Sequence, residues 1–464
     1  MDQHEVEIQK NNILKGNPLV NLLSPCRIDS GILQLDEEDQ SRLAKAGRKT
    51  EKKITFFIPA SGSGSRMFQF LFDFLVKNDN ADQGSVQHCL NQLEDFAFSR
   101  FLPAEMQAEV KSGVYEPGKL ITYILGPKGL GLADKPKGLV PFHQVKAFVL
   151  NAFQEQYIQA AQLMNASGEI HFTVQEDFLK DIELTIRQIQ DFTGLKLKAT
   201  FSFQDSGKAA FAFDKEMNVA IDDNGINIRR PSGHGALIEN INSLNSDYIF
   251  IKNIDNVQHL DKSHSSKETW MQLVGLIEEV KLEIENLLLE FSTNKAILFN
   301  DKYQLYQKTY FAELTNEEKI KLLQRPLRVC GMVKNIGQPG GGPYWVEKNG
   351  VISKQIVEKS QMQNTAEQQA LVLKSTHFNP VMMVVSSKDR NNNKIDFNQF
   401  VDHKKYFIVN KSHEGKEIVY RELPGLWNGG MDQWNTIFIE VSSDTFSPVK
   451  SIMDLLTPQH RPNL

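Results

Sequence analysis

Three short apolar runs, Ile54–Ile58, Ile170–Val174 and Tyr248–Ile254, constrain this chain more than any other feature. Runs of this length, rich in β-branched and aromatic residues, read as buried strands. The Leu35–Ala46 segment reads as a helix, with Asp36, Glu37, Glu38 and Asp39 early and Arg42 and Lys45 late, the order that a helix dipole favours. Phe68, Leu71, Phe72 and Leu75 repeat at helical spacing, and Val145–Asn165, Asp177–Thr193 and residues 264–323 also read as helical. Lys196–Gln204 adds a strand and Leu120–Leu125 an extended segment. Strands alternating with helices of this length predict βαβ units and an α/β fold around a mainly parallel sheet.

At roughly 150 residues per domain, 464 residues suggest about three domains, or one large core with insertions. The expected division is a polar, helical lead-in over 1–50, an α/β core over 51–326 with a helical insertion at about 68–114, and a β-rich region over 327–464. The 52 basic and 57 acidic side chains leave a net charge of −5, so a chain-wide basic footprint for nucleic acid is absent. No apolar run approaches the roughly 18 residues of a spanning helix, which argues against an integral membrane protein. The polar start and the three scattered residues Cys26, Cys89 and Cys330 predict a reducing, cytoplasmic setting without a disulfide framework.

Two loops carry the candidate chemistry. After Ile54–Ile58 comes Ala60-Ser61-Gly62-Ser63-Gly64-Ser65-Arg66-Met67. Glycines here let backbone N–H groups approach phosphate oxygens, and Arg66 adds a fork of donors. The same Ser-Gly run also describes a plain loop. A P-loop and the dinucleotide fingerprint are both excluded, the second because Met67 stands where Gly or Ala is required. The second loop, Asp134-Lys135-Pro136-Lys137-Gly138-Leu139-Val140-Pro141, puts two lysines around a stiffening proline. Its bland reading is a solvated basic turn.

In this order the two loops resemble the Ala-Gly-Gly-x-Gly-Thr-Arg-Leu/Met and Lys-Pro-Lys-x-Leu-Val-Pro signatures of sugar-phosphate nucleotidyltransferases. Ser61 replaces a usual Gly, and about 70 residues separate Arg66 from Lys137 where the family has a short spacing. The helical insertion must therefore leave the two loops adjacent in space. Phe203-Gln204, Arg230-Pro231-Ser232-Gly233-His234-Gly235, Lys252-Asn253-Ile254-Asp255-Asn256 and Phe446-Ser447-Pro448-Val449-Lys450 resemble further elements of the UDP-sugar pyrophosphorylase branch. The chain also resembles a family of unassigned activity known mainly from Bacteroidetes.

The resemblance implies a three-layer nucleotide-diphospho-sugar transferase (GT-A-like) sandwich and the reaction of UTP, or another nucleoside triphosphate, with a sugar-1-phosphate to give NDP-sugar and pyrophosphate. It places Ser61, Gly62, Ser63, Gly64, Ser65, Gln204, Gly233 and His234 on the nucleotide, Arg66, Lys137 and Lys450 on phosphate charge with Lys135 beside them, and Asp255 on Mg²⁺. It further places Gly341, Glu358 and Asn379 on the sugar, with Glu422–Met431 closing the pocket. Each has a bland alternative: a turn-forming Asp-Asn pair for Asp255, a turn residue for His234, a hairpin end for the Gln338–Pro343 turn, and a packed side chain for Trp427.

Other signals point to ordinary structure. Asn224-Gly225 between two short apolar runs is a hairpin turn, and Asp389-x-Asn391-x-Asn393 lacks the Gly and Glu of a calcium loop. Two rival functions remain: a sugar-nucleotide sensor without turnover on the same fold, and a glycosyltransferase using an NDP-sugar. The second predicts an Asp-x-Asp motif, and Asp255-Asn256-Val257 does not supply one.

Overall fold

The computed structural model describes residues 3–76, 82–164, 168–337, 340–413 and 415–463. The chain divides into two compact units that interleave along the sequence. The first comprises Met1–Lys53, Gln204–Ile251 and Met271–Val441, and the second Ile54–Phe203, Lys252–Trp270 and Ser442–Leu464. The fold is mixed α/β, with parallel and antiparallel strand pairs.

In the second unit the strands Ile54–Pro59, Glu169–Thr173 and Lys198–Ser202 pair in parallel, with Phe57 opposite His171 and His171 opposite Thr200. Phe56, Phe57, Ile58, Ile170 and Phe172 are buried, as runs apolar on both faces require. The helix Leu179–Thr193 buries Ile182, Ile186 and Ile189 along one side and stops at Gly194, whose φ of +70° suits glycine. After Met67 the chain forms the helices Gln69–Leu75, Gln83–Asn91 and Ala104–Ser112, with short 3-10 turns over Leu93–Asp95 and Ala97–Phe101 between the last two. Its residues 77–81 lie outside the described residues.

Two expectations are corrected. Leu120–Leu125 is not extended but belongs to the helix Pro117–Leu125, because Glu116 caps it, Pro117 pre-sets its first turn, and Leu120, Ile121, Ile124 and Leu125 form one buried face. The helix expected over Val145–Asn165 begins later. Pro141–Val145 and Phe148–Asn151 form an antiparallel hairpin, and the Asn151–Gln154 capping box starts the helix Ala152–Ala161. Asn165 lies outside the described residues.

In the first unit Arg27–Ile28, Gly31–Leu33, Asn435–Glu440, Leu327–Lys334, Met382–Ser386 and Tyr248–Lys252 follow one another across a sheet. Leu327–Lys334 runs parallel to Asn435–Glu440 and antiparallel to Met382–Ser386. Leu22–Pro25, Gly342–Lys348 and Val351–Val357 form a separate antiparallel sheet. Asn224-Gly225 is the tip of a turn, with Gly225 at φ +78° and Ile221 bridged to Asn227. Asp389 turns its carboxylate onto the N–H groups of Asn391 and Asn393, both at 2.8 Å, so it serves its own loop. Cys26, Cys89 and Cys330 are free, buried thiols. Among the described residues no helix is long and apolar enough to cross a membrane.

Candidate functional site

The second unit joins the two sequence loops directly. Beyond Ile54–Pro59, the Ala60 N–H donates to Thr173 O at 2.9 Å and Gln175 Nε2 donates to Ser61 O at 2.6 Å. The Gly64 N–H donates to Lys135 O at 3.2 Å, the Lys137 N–H donates to Gly62 O at 3.1 Å, and Ser63 bridges Pro136. The insertion therefore loops out and leaves both segments paired. Gly64 is required by this approach, since a Cβ there would stand 2.9 Å from Lys135 O. Ser63 Oγ and Ser65 Oγ lie 2.9 Å apart, and Ser65 opens the 3-10 turn Ser65–Phe68. Arg66, within that turn, is exposed and pairs with no described residue.

Lys137 Nζ meets Asp255 Oδ2 at 2.5 Å, with both side chains less than a fifth exposed. Two features hold this pair. Gly138 lies so close to the Phe153 ring and to Ile254 that a Cβ would come within 2.5 and 3.0 Å of them. Gln156 Nε2 reaches the carbonyls of Asn253, Ile254 and Asn256 at 3.2 to 3.3 Å and fixes the turn on which Asp255 stands. Just before it, Lys252 is buried over the Trp270 ring at 4.0 Å, and burial pulls its amine well below the usual lysine range.

The C-terminal strap runs along the same turn. Asn256 bridges Pro448, Val449 N–H donates to Asp255 O at 3.1 Å, and Ser447 N–H donates to Asn256 Oδ1 at 2.9 Å. Lys450, the residue after Val449, donates its N–H to Asp454 Oδ2 at 2.7 Å and is exposed. Lys135 differs from its neighbour Lys137: it lines a separate cavity of about 400 Å³ with Leu139, Asn151, Gln154 and Thr185.

Among the described residues no group of three or more His, Cys, Asp or Glu side chains is placed to hold a metal ion. Asp255 is the one carboxylate among the described residues of its turn, and one of its oxygens is on Lys137. That set does not suit a cation caged by protein, but it fits Mg²⁺, which takes most of its ligands from phosphates and water.

The first unit holds a different cluster. His234 stacks on Trp427 at 3.9 Å with planes 12° apart, and its Nδ1 accepts from the Leu426 N–H at 2.9 Å. Burial lowers its imidazole to about 4, so it is neutral near pH 7 and its proton sits on Nε2, which is 3.9 Å from Glu358 Oε1. Burial, offset in part by the Trp427 indole beside it and reinforced by the nearby Glu422, raises the Glu358 carboxyl above the usual range. Gly233, at φ +72°, packs against Glu422, whose Oε2 would be 2.3 Å from a Cβ there. Gly341 packs against Glu358 and its carbonyl accepts from the Asn379 N–H at 2.8 Å.

Of the expected residues, Ser61, Gly62, Ser63, Gly64, Ser65, Lys137, Asp255 and the Lys450 strap gather in the second unit, and Gly233, His234, Gly341, Glu358 and Asn379 in the first. Gln204, in the first unit, joins neither cluster through a side-chain hydrogen bond among the described residues. Gln338 and Pro339 of the triple-Gly turn lie outside the described residues. The sequence reading missed Gln156 and Lys252. Gln156 stands on a helix buried on every side over Ala152–Ala160, so its amide needs partners, and those partners lie 97 to 100 residues away in sequence.

Comparison with solved structures gives the class of fold. The chain is similar to a UDP-N-acetylglucosamine pyrophosphorylase from Trypanosoma brucei, solved with an inhibitor, at 12% identity and TM-score 0.54, over 97% of this chain and 74% of that one. A variant UDP-glucose pyrophosphorylase from Leishmania major, solved with UDP-glucose, aligns at 11% identity and TM-score 0.49, over 98% and 74%. A UDP-glucose phosphorylase from T. brucei aligns at 11% and 0.46, over 98% and 74%. At the first of these likenesses the shared feature is a UDP-sugar pyrophosphorylase fold. By sequence, the chain belongs to the family described as a domain of unknown function (DUF4301), which it matches over residues 1–461. Comparison with curated proteins gives no match.

Proposed function

We propose that the protein is a nucleotidyltransferase that forms an NDP-sugar, with UTP the favoured donor, and pyrophosphate from a nucleoside triphosphate and a sugar-1-phosphate. The observation that carries this reading is the pairing of the Ser61–Arg66 and Lys135–Lys137 loops, with Lys137 on Asp255, across a long insertion. A sugar-phosphate oxygen attacks the α-phosphorus, the α–β bridging bond breaks, and pyrophosphate leaves with that bond's electron pair. The nucleophile is already ionised, so no general base is required. The difficulty is charge, because two polyanions must meet.

The backbone of Gly62 and Gly64 and the Arg66 guanidinium bind the triphosphate. Lys137 exchanges Asp255 for a phosphate oxygen, and Lys450 adds a second ammonium. Asp255 would hold Mg²⁺, which neutralises phosphate charge when bound. Glu358, steadied by Trp427, accepts from sugar hydroxyls, with Asn379 and Gly341 beside it. His234 and Gly233 contact the nucleotide. The reading also carries the three-layer GT-A-like architecture and a cytoplasmic setting.

A second reading, a sensor that binds the sugar nucleotide without turnover, is favoured by the same Lys137–Asp255 pair, since each cancels the other's charge. A screen for pyrophosphate release with nucleoside triphosphates and sugar-1-phosphates separates the two. Release that disappears in Asp255→Ala supports the transferase. Binding of UDP-sugar with no release from any pair supports the sensor.

A further inference from the structure

Arg328 has no part in the reaction above, yet it is fully buried in the interior of the first unit. It lies on the strand Leu327–Lys334, opposite Thr436 on one neighbouring strand and Val385 on the other. A guanidinium keeps its charge, so a buried arginine is ordinarily met by a carboxylate. Among the described residues none meets this one. Its Nε donates to Thr436 Oγ1 at 2.9 Å, its Nη1 donates to the Trp427 carbonyl at 2.8 Å and to Met431 Sδ at 3.4 Å, and its Nη2 is buried without a described partner. Asp432, the residue after Met431, is committed to Lys348 and Lys405.

The charge is therefore directed at one peptide carbonyl. A hydrogen bond from an ionised donor is roughly twice as strong as a neutral one, and a dry interior strengthens it further. Thr436 aims the guanidinium, since its hydroxyl donates to the Trp434 carbonyl at 3.3 Å and so leaves its lone pairs to Arg328 Nε. What Arg328 holds is the backbone of a residue that builds the cluster around His234. Gly425, Leu426 and Trp427 grip that imidazole in succession. A Cβ at Gly425 would stand 2.4 Å from Cε1, the Leu426 N–H donates to Nδ1, and the Trp427 indole stacks on the ring. Nε2 is left facing Glu358 at 3.9 Å. The next residue, Asn428, donates from Nδ2 to the Ile356 carbonyl at 2.7 Å, two residues before Glu358.

We propose that Arg328 is a positioning residue for sugar selection: by pinning the Trp427 carbonyl it fixes the indole on His234 and so sets how the stacked pair faces Glu358. The link to the sugar rests on the proposed nucleotidyl transfer, whereas the pinning of Trp427 does not.

Arg328→Met keeps an unbranched side chain that packs in an apolar interior and removes every donor. Thr436→Val keeps the shape of its side chain and removes the hydroxyl that aims the guanidinium. Amide hydrogen exchange across residues 425–432 of the full chain is the primary readout. It should speed about tenfold in Arg328→Met and about threefold in Thr436→Val, with the strand Met382–Ser386 still protected. In turnover, Arg328→Met should raise KM for the sugar phosphate about tenfold with kcat changed less than about twofold, and adding Trp427→Ala to it should cost less than about twofold more. Unaltered exchange over 425–432 in a variant whose Met382–Ser386 strand stays protected would overturn the proposal, and Thr436→Val supplies that test even where Arg328→Met does not fold. If wild type releases no pyrophosphate, the nucleotidyl-transfer reading falls while exchange still decides the pinning of Trp427.

Discussion

The two clusters differ in how they are held. In the second unit, backbone does the placing: Gly62 and Gly64 pair with Lys135 and Lys137, Gln156 grips three carbonyls under Asp255, and the charged groups Arg66 and Lys450 are exposed. In the first unit the side chains place one another, through the His234–Trp427 stack, the packing of Gly341 on Glu358 and the contact of Gly233 with Glu422. Exposed cations on a rigid backbone suit a highly charged, mobile group. A half-buried carboxylate beside stacked rings suits a neutral body with hydroxyls. On the proposed function, changes at Lys137 and Asp255 in the second unit should strike the chemical step, and changes at Gly341, Glu358 and Asn379 in the first should strike the choice of sugar.

The largest expected effect is on the phosphate side. Asp255→Ala should cut magnesium-dependent pyrophosphate release by about three orders of magnitude, measured by coupled phosphate assay. Lys137→Met should lower kcat/KM by about a hundredfold, less than Asp255→Ala because Arg66 and Lys450 persist; an effect confined to the sugar's KM would break the contrast. On the sugar side, Glu358→Gln should raise KM for the sugar phosphate about tenfold with kcat little changed. Because burial raises the Glu358 carboxyl, that KM should also climb in wild type as pH falls toward the carboxyl range, and the climb should vanish in the variant.

The smallest expected effect is on stability and is common to both units. Burial lowers His171 and His234 to about 4, whereas the unfolded chain titrates near the ordinary 6.5. The unfolded state therefore binds more protons between these values, so stability complete above about pH 6.5 is lost as pH falls toward 4. The melting temperature should drop by a few degrees between pH 7 and pH 4.5, and His171→Gln should flatten part of that drop. An unchanged slope in that variant would remove His171, with its bonds to Thr200 and Ser202, as a source.

The sequence made the second unit's loops more legible than the pairing between them. Ile54–Ile58 and Ile170–Val174 announce buried strands, and the loops that follow stand out by composition. The adjacency of Gly64 and Lys135 was required by resemblance alone, since nothing local encodes a pairing across an insertion. Leu120–Leu125 misled because a short apolar run fits strand or helix equally, and Glu116-Pro117 decided the matter. The second hairpin strand, Phe148–Asn151, was hidden inside what read as one long helix from Val145, with the Asn151–Gln154 cap as the overlooked punctuation. Gln156 was invisible as part of the site because its partners lie 97 to 100 residues away in sequence. The interleaving of the two units is likewise a property of contacts, which composition does not record.

The central claim is that the paired loops and Asp255 serve nucleotidyl transfer. Its most direct test is magnesium-dependent pyrophosphate release by the wild-type chain with UTP across a panel of sugar-1-phosphates, run beside Asp255→Ala. The account predicts release with at least one sugar phosphate and its loss in the variant. No release from any pair of nucleoside triphosphate and sugar phosphate, with UDP-sugar still bound, would contradict it.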